Sequence, residues 1–264
     1  MKFSISTLCL ILCIITNIRA QSYEDADTRL AAYFDKMDYW WQYCYKDRTD
    51  KKVDSLRNSG GRIYDYVENI ILKSPTALTA EFPLAKEKGL HYVTADNGLF
   101  RIYSWQAKME GHETPRLEFR DIAGYTITSG RKYRDISNGS EGGFCTNITT
   151  IRTVDSSVVY VANYYSIENG EKLETLKAYS VIDNYLKEIS VFQNGEKIPK
   201  QLWCQYTVPL NNAMESLPAI HFNDEKTKLY VPIVETQGER QVLTGKFMVY
   251  IFNGYLFVYV KDAQ

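Results

Sequence analysis

The sequence from Ser157 to Ile182, SVVYVANYYSIENGEKLETLKAYSVI, carries the clearest structural pattern in the chain. Two runs rich in Val, Tyr and Thr flank the dipeptide Asn169-Gly170. Asn-Gly favours a two-residue hairpin turn, because both residues tolerate the positive φ that such a turn needs. The pattern therefore predicts two antiparallel strands, Ser157–Glu168 and Glu171–Ile182.

The register of this hairpin predicts one buried face and one solvated face. A two-residue turn places Tyr160 opposite Tyr179 and Tyr164 opposite Thr175, so aromatic side chains collect on one face. The residues of the opposite face are Asn163, Tyr165, Ile167, Lys172 and Glu174. Antiparallel sheets commonly pack one face on the core and leave the other in water, so we predict that this second face is wet.

On both sides of this hairpin, from residue 90 to the end of the chain, apolar and polar residues alternate with a period of two, and further Asn-Gly pairs occur. They predict an antiparallel β-meander that forms an open or half-barrel sheet. The other predicted strands are His91–Ala95, Leu99–Trp105, Arg116–Thr128, Phe144–Thr153, Tyr185–Phe192, Cys204–Val208, Lys228–Val234, Leu243–Phe252 and Tyr255–Lys261. The segment Ser129–Gly143 is rich in Gly, Ser and charge, and we predict a mobile flap there.

The segment before the strands is helical by pattern. Apolar residues recur at spacings of three and four from Tyr23 to Lys73, which is the period of a helix that lays one face on a core. Ser59-Gly60-Gly61 is predicted to interrupt this segment, and Ser74-Pro75 to end it. The expected fold is α+β, in which a helical segment, residues 21–89, packs on the curved sheet of residues 90–264 within one structural domain.

The last hairpin is apolar on both faces. With Asn253-Gly254 as a two-residue turn, Tyr250 pairs with Phe257 and Met248 pairs with Tyr259. So large an aromatic patch is not left in water. Helices, the rest of the sheet or a ligand can cover it, and we expect cover from within the chain, because the N-terminal helices carry apolar faces that need the same burial.

Residues 1–20 have the layout of a secretory signal peptide. Lys2 precedes an apolar stretch, and a polar approach leads to Ala20, after which we expect cleavage. The whole chain has 31 basic and 32 acidic side chains. Cleavage removes Lys2 and Arg19 and leaves 29 basic and 32 acidic ones. This balance does not favour nucleic acid as a partner. No later segment is apolar enough to span a membrane. We expect a soluble exported protein, periplasmic or secreted.

Three cysteines remain after the expected cleavage: Cys44, Cys145 and Cys204. An exporting compartment permits disulfides, and an odd number allows at most one intramolecular bridge. We favour a bridge from Cys145 to Cys204, because both lie in the β-rich part of the chain. Three buried free thiols are the alternative.

The sequence offers little for catalysis or metal binding. The three histidines, His91, His112 and His221, stand apart from one another, and no pair of cysteines has zinc-ligand spacing. No nucleophile elbow, phosphate-binding glycine loop or dinucleotide fingerprint is present. We therefore expect no metal and no cofactor. Glu171 and Glu174 are interpreted as the wet edge of a hairpin.

Aromatic residues are the strongest binding signal in the sequence. Tyrosine occurs 21 times, and tryptophan occupies four positions. Sugar C–H faces pack on aromatic planes, so exposed tryptophan in an exported β protein suggests carbohydrate binding. The predicted ligand-binding residues are Arg101, Tyr103, Trp105 and Trp40. By contrast, Trp41 has helical spacing with other apolar residues and is expected in the core.

Two segments of the sequence resemble known proteins. The segment HYVTADNGLFRIYSW, His91–Trp105, and the segment YIFNGYLF, Tyr250–Phe257, resemble strand-turn-strand segments of exported Bacteroidota proteins of unassigned function. The resemblance implies a bacterial periplasmic or secreted setting. It implies no activity and no functional residues.

These observations favour a non-enzymatic binding or interaction module, with a glycan or another envelope protein as its partner. The alternative is a hydrolase that acts on envelope or extracellular glycan. The two differ in one respect that a structure shows: an enzyme needs two or three titratable groups that converge in one cleft.

Overall fold

The computed structural model describes the chain in six segments. These are residues 5–46, 49–109, 116–137, 143–168, 170–207 and 219–263. Within them the helices come first and the strands follow, so the fold class is α+β, as predicted. Among the helices of these segments, none combines the length and apolar composition that a membrane crossing requires.

Four helical elements precede the first described strand. They are α1 (Ile5–Lys46), α2 (Asp50–Tyr66), a π-helical turn (Val67–Ile71) and α3 (Pro83–Glu87). The predicted interruption at Ser59-Gly60-Gly61 is wrong, because these residues lie inside α2. Gly60 is buried there, and a Cβ atom on it would lie 4.0 Å from both the Met37 sulfur and the Lys108 carbonyl oxygen. At this distance both would be ordinary van der Waals contacts, and Gly60 does not end the helix.

Helix α3 is joined to α1 by a buried carboxylate. Both side-chain oxygens of Asp27 accept hydrogen bonds of 2.9 Å, one from the Leu84 N–H and one from the Ala85 N–H. These N–H groups belong to the first turn of α3, where no earlier residue of the helix can accept them. Asp27 therefore fixes the short helix against the long one.

The described chain divides into two compact units. The first unit comprises the residues up to Leu90 together with Trp105–Glu118, and the second comprises His91–Ser104 and Phe119–Gln264. The buried core of the first unit includes Leu30, Phe34, Met37, Ile63 and Val67 from its helices. Trp105 joins this core, with its ring centroid 6.5 Å from that of Tyr64.

Fourteen strands are described. They are β1 (His91–Thr94), β2 (Phe100–Met109), β3 (Arg116–Ile127), β4 (Gly130–Asp135), β5 (Phe144–Arg152), β6 (Val158–Glu168), β7 (Glu171–Ile182), β8 (Tyr185–Ile189), β9 (Phe192–Gln193), β10 (Gln201–Thr207), β11 (His221–Phe222), β12 (Lys228–Gln237), β13 (Arg240–Phe252) and β14 (Phe257–Ala263). Strand β4 lies where the sequence suggested a flap. Its pairing with β3 corrects that prediction for Gly130–Asp135, while residues 138–142 lie outside the described segments.

The strands form three sheets and not a single meander. The first sheet has the order β1-β2-β3-β4. The second has the order β10-β7-β6-β5, with β8 also paired to β7. The third has the order β11-β12-β13-β14-β9, and its β14–β9 pair is parallel.

The hairpin of β6 and β7 has the predicted register. Tyr160 is opposite Tyr179, Tyr164 is opposite Thr175, and Glu168 is opposite Glu171 next to the turn. Residue 169 of the turn lies outside the described segments.

In the second unit, the second sheet contacts another sheet on each of its faces. One face shares an apolar cluster with the first sheet, and this cluster includes Phe100, Ala123, Tyr160 and Tyr179. The other face shares a cluster with the third sheet, which includes Val161, Leu176, Leu229, Tyr250 and Phe257. The prediction of a wet face is therefore wrong, because the third sheet covers it.

The last hairpin has a longer loop than predicted. Phe252 pairs with Phe257 and Tyr250 with Tyr259, so four residues separate the strands. The Asn253 side chain explains the difference, since its Oδ1 accepts hydrogen bonds from the N–H groups of Tyr255 and Leu256. These bonds stabilise a wider loop than the two-residue turn.

The aromatic face of this hairpin is covered from within the chain, as predicted. Tyr250 and Phe257 are buried in the cluster with the second sheet, so a layer of strands supplies cover for them.

Candidate functional site

The structure buries three of the four predicted ligand-binding side chains. Arg101 is 3% exposed, and Tyr103 and Trp105 are 0% exposed. In the second unit the Arg101 guanidinium lies 4.9 Å from the centre of the Tyr92 ring and donates a hydrogen bond to the Thr94 hydroxyl. These contacts belong to the interior of the protein. The three side chains therefore do not form an open face, and their role in ligand binding stays a prediction.

Trp40, the fourth predicted residue, is half-buried on α1. Its ring makes edge contacts with Tyr39, at 5.1 Å between ring centres, and with Tyr43, at 6.4 Å. Tyr39 and Tyr43 are exposed, so Trp40 belongs to an aromatic patch on the helix surface. A role for this patch in binding stays a prediction.

Cys145 and Cys204 are buried free thiols, and Cys44 is buried as well, in line with the alternative considered from the sequence. Cys145 belongs to the cluster between the first and second sheets, and Cys204 to the cluster between the second and third. The predicted bridge between them is absent because opposite faces of one sheet hold the two side chains.

An exposed tryptophan lies on the outer strand β10 of the second sheet. Side chains of β10 alternate: Leu202, Cys204 and Tyr206 are buried, whereas Trp203 and Gln205 are exposed. Trp203 is 59% exposed, although indole is among the most apolar side chains. A large exposed aromatic ring at a sheet edge is a candidate contact surface.

Trp203 forms part of the wall of a groove of about 480 Å³, which we call the Trp203 groove. Its polar lining residues are Glu171, Gln205 and Gln241, and its apolar ones include Trp203, Pro232 and Val234. This volume lies within the range of small-molecule pockets, roughly 300–1,000 Å³. The groove therefore joins an aromatic wall to planar side chains that donate and accept hydrogen bonds.

The polar side chains of the groove are oriented by neighbours. The Gln205 side-chain amide donates a hydrogen bond to the Glu171 carboxylate. The Gln241 side-chain amide donates one of 3.1 Å to the Thr236 hydroxyl, and its backbone N–H donates one of 3.0 Å to the Thr207 hydroxyl. These hydrogen bonds orient the side chains of Glu171 and Gln241, and so fix the positions of their oxygen atoms in the groove.

The opposite wall of the groove is shaped by an irregularity in β12. The pairing of β12 with β13 shifts register between Pro232 and Val234, which marks a bulge. Proline has no N–H to contribute to a strand ladder and is tolerated at such positions. The Ile233 carbonyl accepts a hydrogen bond of 2.9 Å from the Thr244 hydroxyl, which fixes the bulged backbone.

Two buried carboxylates lie on the two faces of the second sheet. Glu174 is 1% exposed, and its Oε1 lies 3.1 Å from the Lys172 ammonium nitrogen. It also accepts hydrogen bonds from the Tyr206 hydroxyl and from the N–H groups of Ala219 and Ile220. Its interpretation as a wet hairpin edge is wrong, because these partners enclose it.

Asp121 of β3 is the second buried carboxylate. Burial raises the pKa of Asp121 to about 7, while a hydrogen bond with Ser104 and the positive charge of Lys177 lower it. Its Oδ1 accepts no hydrogen bond. The adjoining cavity measures about 10 Å³, which is room for about one water molecule. Asp121 is therefore a poor candidate for contact with a substrate.

The described residues contain no cluster of three or more His, Cys, Asp or Glu side chains arranged to hold a metal ion. The Trp203 groove has one carboxylate among its lining residues, that of Glu171. The chemistry that the groove offers is hydrogen bonding and aromatic contact.

The groove was not predicted from the sequence, because the predicted start of one strand was three residues too late. The predicted strand began at Cys204, whereas β10 begins at Gln201. If the alternation of buried and exposed side chains had been continued back to Leu202, Trp203 would have been predicted to face outward. Gln241 and Pro232 belong to a different sheet, and no local pattern in the sequence brings them to Trp203.

No family model matches the chain, and no curated protein or solved structure matches it.

Proposed function

We propose that the protein is an exported binding module and that the Trp203 groove binds a glycan. The observation that supports this most directly is the 59% exposed indole of Trp203 beside the planar polar side chains of the groove. Sugar rings have apolar C–H faces, which pack on aromatic planes, and equatorial hydroxyls, which need donors and acceptors. Glu171 accepts, and the amides of Gln205 and Gln241 do both.

A pure binding role accounts for the groove better than glycoside hydrolysis does. Most glycosidases place two carboxyl groups on either side of the scissile bond, about 5–10 Å apart. The lining residues of the groove include the Glu171 carboxylate alone, and Gln205 already donates a hydrogen bond to it. We therefore keep the hydrolase as the less favoured alternative.

The proposal is tested by screening the purified protein against an array of bacterial envelope and extracellular glycans and titrating the best binder by calorimetry. We expect Trp203→Ala to weaken binding about tenfold or more, because truncating an aromatic anchor of a site commonly has such an effect. Glu171→Gln keeps the shape of the groove and tests the acceptor. Tyr255→Ala is the control, since Tyr255 is an aromatic of similar exposure outside the groove.

Two results would overturn the proposal. One is a wild-type protein that binds no glycan on the array. The other is a Trp203→Ala variant whose affinity equals that of the Tyr255→Ala control. Release of reducing sugar during the titration would instead favour the hydrolase.

Export is a separate part of the proposal and rests on the leader-like residues 1–20. We expect N-terminal sequencing of the protein recovered from cells to start at or near Gln21, because Ala20 ends the polar part of the leader. Recovery of the intact Met1 terminus from the cytosolic fraction would contradict export and leave the glycan test unaffected.

A further inference from the structure

The charge of the Trp203 groove has one sign. Of the described residues that line the groove, Glu171 carries the one carboxylate, and none is a lysine, an arginine or a histidine. Cys204 is the other lining residue that can ionise. Burial raises the pKa of its thiol to about 12, so this side chain is neutral in most conditions. The described lining of the groove therefore has a negative charge and no positive one.

The Glu171 carboxylate has no cationic partner within the described segments. Its hydrogen-bond donor there is the neutral side-chain amide of Gln205. The next residue along β7 is Lys172, but its ammonium nitrogen lies 3.1 Å from the Glu174 carboxylate and is buried with it. A carboxylate has two oxygens with about four acceptor positions, so Glu171 can accept further hydrogen bonds from a ligand.

The exposed indole of Trp203 also favours a positive charge. Its ring is 59% exposed, and no described lysine or arginine lies over it. The face of an aromatic ring is partially negative, and tryptophan attracts cations more strongly than tyrosine or phenylalanine does. A contact of this kind occurs elsewhere on the surface, where the Lys132 ammonium nitrogen lies 4.3 Å from the centre of the exposed Tyr185 ring.

The indole and the carboxylate are close enough for one oligosaccharide to contact both. Trp203 and Gln205 are two positions apart on β10 and are both exposed on the same face. The rise of a strand separates such positions by about 7 Å. Because the Gln205 amide is hydrogen-bonded to the Glu171 carboxylate, that carboxylate lies next to Gln205 in the groove. Neighbouring sugar units can then contact the two groups at once.

We propose that the glycan bound in the Trp203 groove is one whose sugars carry free amino groups. This inference rests on the proposed glycan binding and specifies the class of sugar. A protonated sugar amine donates hydrogen bonds to the Glu171 carboxylate and is attracted by the Trp203 ring. A neutral hydroxyl in its place has neither electrostatic gain. A uronic acid adds a second negative charge beside Glu171, and like charges disfavour binding.

The test uses three tetrasaccharides with the same β-1,4-linked backbone, made of glucosamine, of glucose and of glucuronic acid. Calorimetry and ligand-observed NMR are carried out at slightly acidic pH, at which the sugar amines are protonated. We expect the glucosamine compound to bind about threefold to thirtyfold more tightly than the glucose compound, and the glucuronic acid compound to bind most weakly. Raising the salt concentration from about 0.05 M to about 0.5 M should reduce this preference.

A pair of matched variants assigns the preference to one carboxylate. Glu171→Gln removes the charge and keeps the shape, so we expect it to bring the affinity for the glucosamine compound close to that for the glucose compound. Glu196→Gln removes the same charge from an exposed glutamate outside the groove and should keep the full preference. The comparison of the two separates a contact in the groove from an effect of net charge.

The outcomes that contradict this inference differ from those that contradict glycan binding itself. Equal affinities for the glucosamine and glucose compounds, or a preference that Glu171→Gln leaves unchanged, would overturn the amine assignment and leave glycan binding in place. Binding of none of the three compounds would also overturn the amine assignment, whereas a binder on the glycan array would still support the proposed function. An array without any binder would overturn both.

Discussion

A buried acid and a buried lysine lie at each of the two faces of the second sheet. The two acids differ in the number of hydrogen-bond donors around them. On the face toward the third sheet, Glu174 has an ion pair with Lys172 and three hydrogen-bond donors. On the face toward the first sheet, Asp121 has one unpartnered oxygen, and burial raises its pKa to about 7. Burial alone therefore does not determine whether the charge of a carboxylate is stabilised. The number of donors around it decides whether its charge is stabilised in place.

The largest effect is expected when the well-satisfied acid is removed. Glu174→Ala removes the carboxylate of a buried ion pair with Lys172, which also accepts three hydrogen bonds, so we expect a loss of about 3–5 kcal/mol in the free energy of unfolding. Urea unfolding measures this loss. Glu235→Ala, an exposed glutamate on β12, is the control and should change stability by less than about 0.5 kcal/mol. A loss below about 1 kcal/mol for Glu174→Ala would show that water replaces the carboxylate as the hydrogen-bond acceptor. The two buried acids would then not differ in the way described.

The second effect is a pH dependence that comes from Asp121. Its ordinary pKa is 3.8 and its pKa in the folded protein is about 7, so between these values the folded state binds more protons than the unfolded state. Stability from this group is therefore fully present below about pH 4 and falls as the pH rises toward 7. We expect the wild type to lose about 2–3 kcal/mol more than Asp121→Asn between about pH 5 and pH 8.

Asp121→Asn is the reference in that experiment because it cannot titrate at this position. Several groups act on the carboxyl or are affected by it, namely Lys177, Asp135, Cys145, Tyr164 and Tyr179. Parallel pH profiles for the wild type and the variant would mean that Asp121 is ionised in the folded protein at both pH values. The contrast between the two faces would then be smaller than the structure indicates.

The smallest effect concerns the tyrosine pair on the same face as Asp121. The hydroxyl oxygens of Tyr164 and Tyr179 lie 3.2 Å apart. Tyr179→Phe removes one hydrogen bond with little change of shape, so we expect a loss of about 0.5–1.5 kcal/mol in thermal or urea unfolding. Tyr185→Phe is the control, because Tyr185 is exposed. Equal stabilities for the two variants would show that the buried hydroxyl pair contributes nothing measurable.

The strands and their register could be predicted from the sequence where interactions between neighbouring residues determine them. The register of Tyr160 with Tyr179 is the one that the dipeptide Asn169-Gly170 predicts, although residue 169 itself lies outside the described segments. The same dipeptide failed at Asn253, because there the asparagine side chain bonds two N–H groups of the loop and lengthens it by two residues. A dipeptide does not specify which of these turns it makes.

The buried polar residues were not predictable in the same way. Lys172, Glu174 and Asn163 alternate with core positions, as residues on a solvated face do. Their burial depends on the third sheet, whose strands β11 to β14 lie between residues 221 and 263, whereas this hairpin ends at residue 182. The Trp203 groove depends on that stacking, so the sequence pattern could suggest aromatic binding but could not place it.

The three separated thiols have a consequence for the chemical lifetime of the protein. Burial raises the pKa of Cys145 well above its usual range and the pKa of Cys204 to about 12, so the reactive thiolate is scarce in the folded state. Oxidants and alkylating reagents therefore modify Cys145 only when the first and second sheets separate, and the rate at which a thiol reagent labels Cys145 measures how often these two layers open. Cys204 also lines the Trp203 groove, so the rate of its labelling reports on access through that groove.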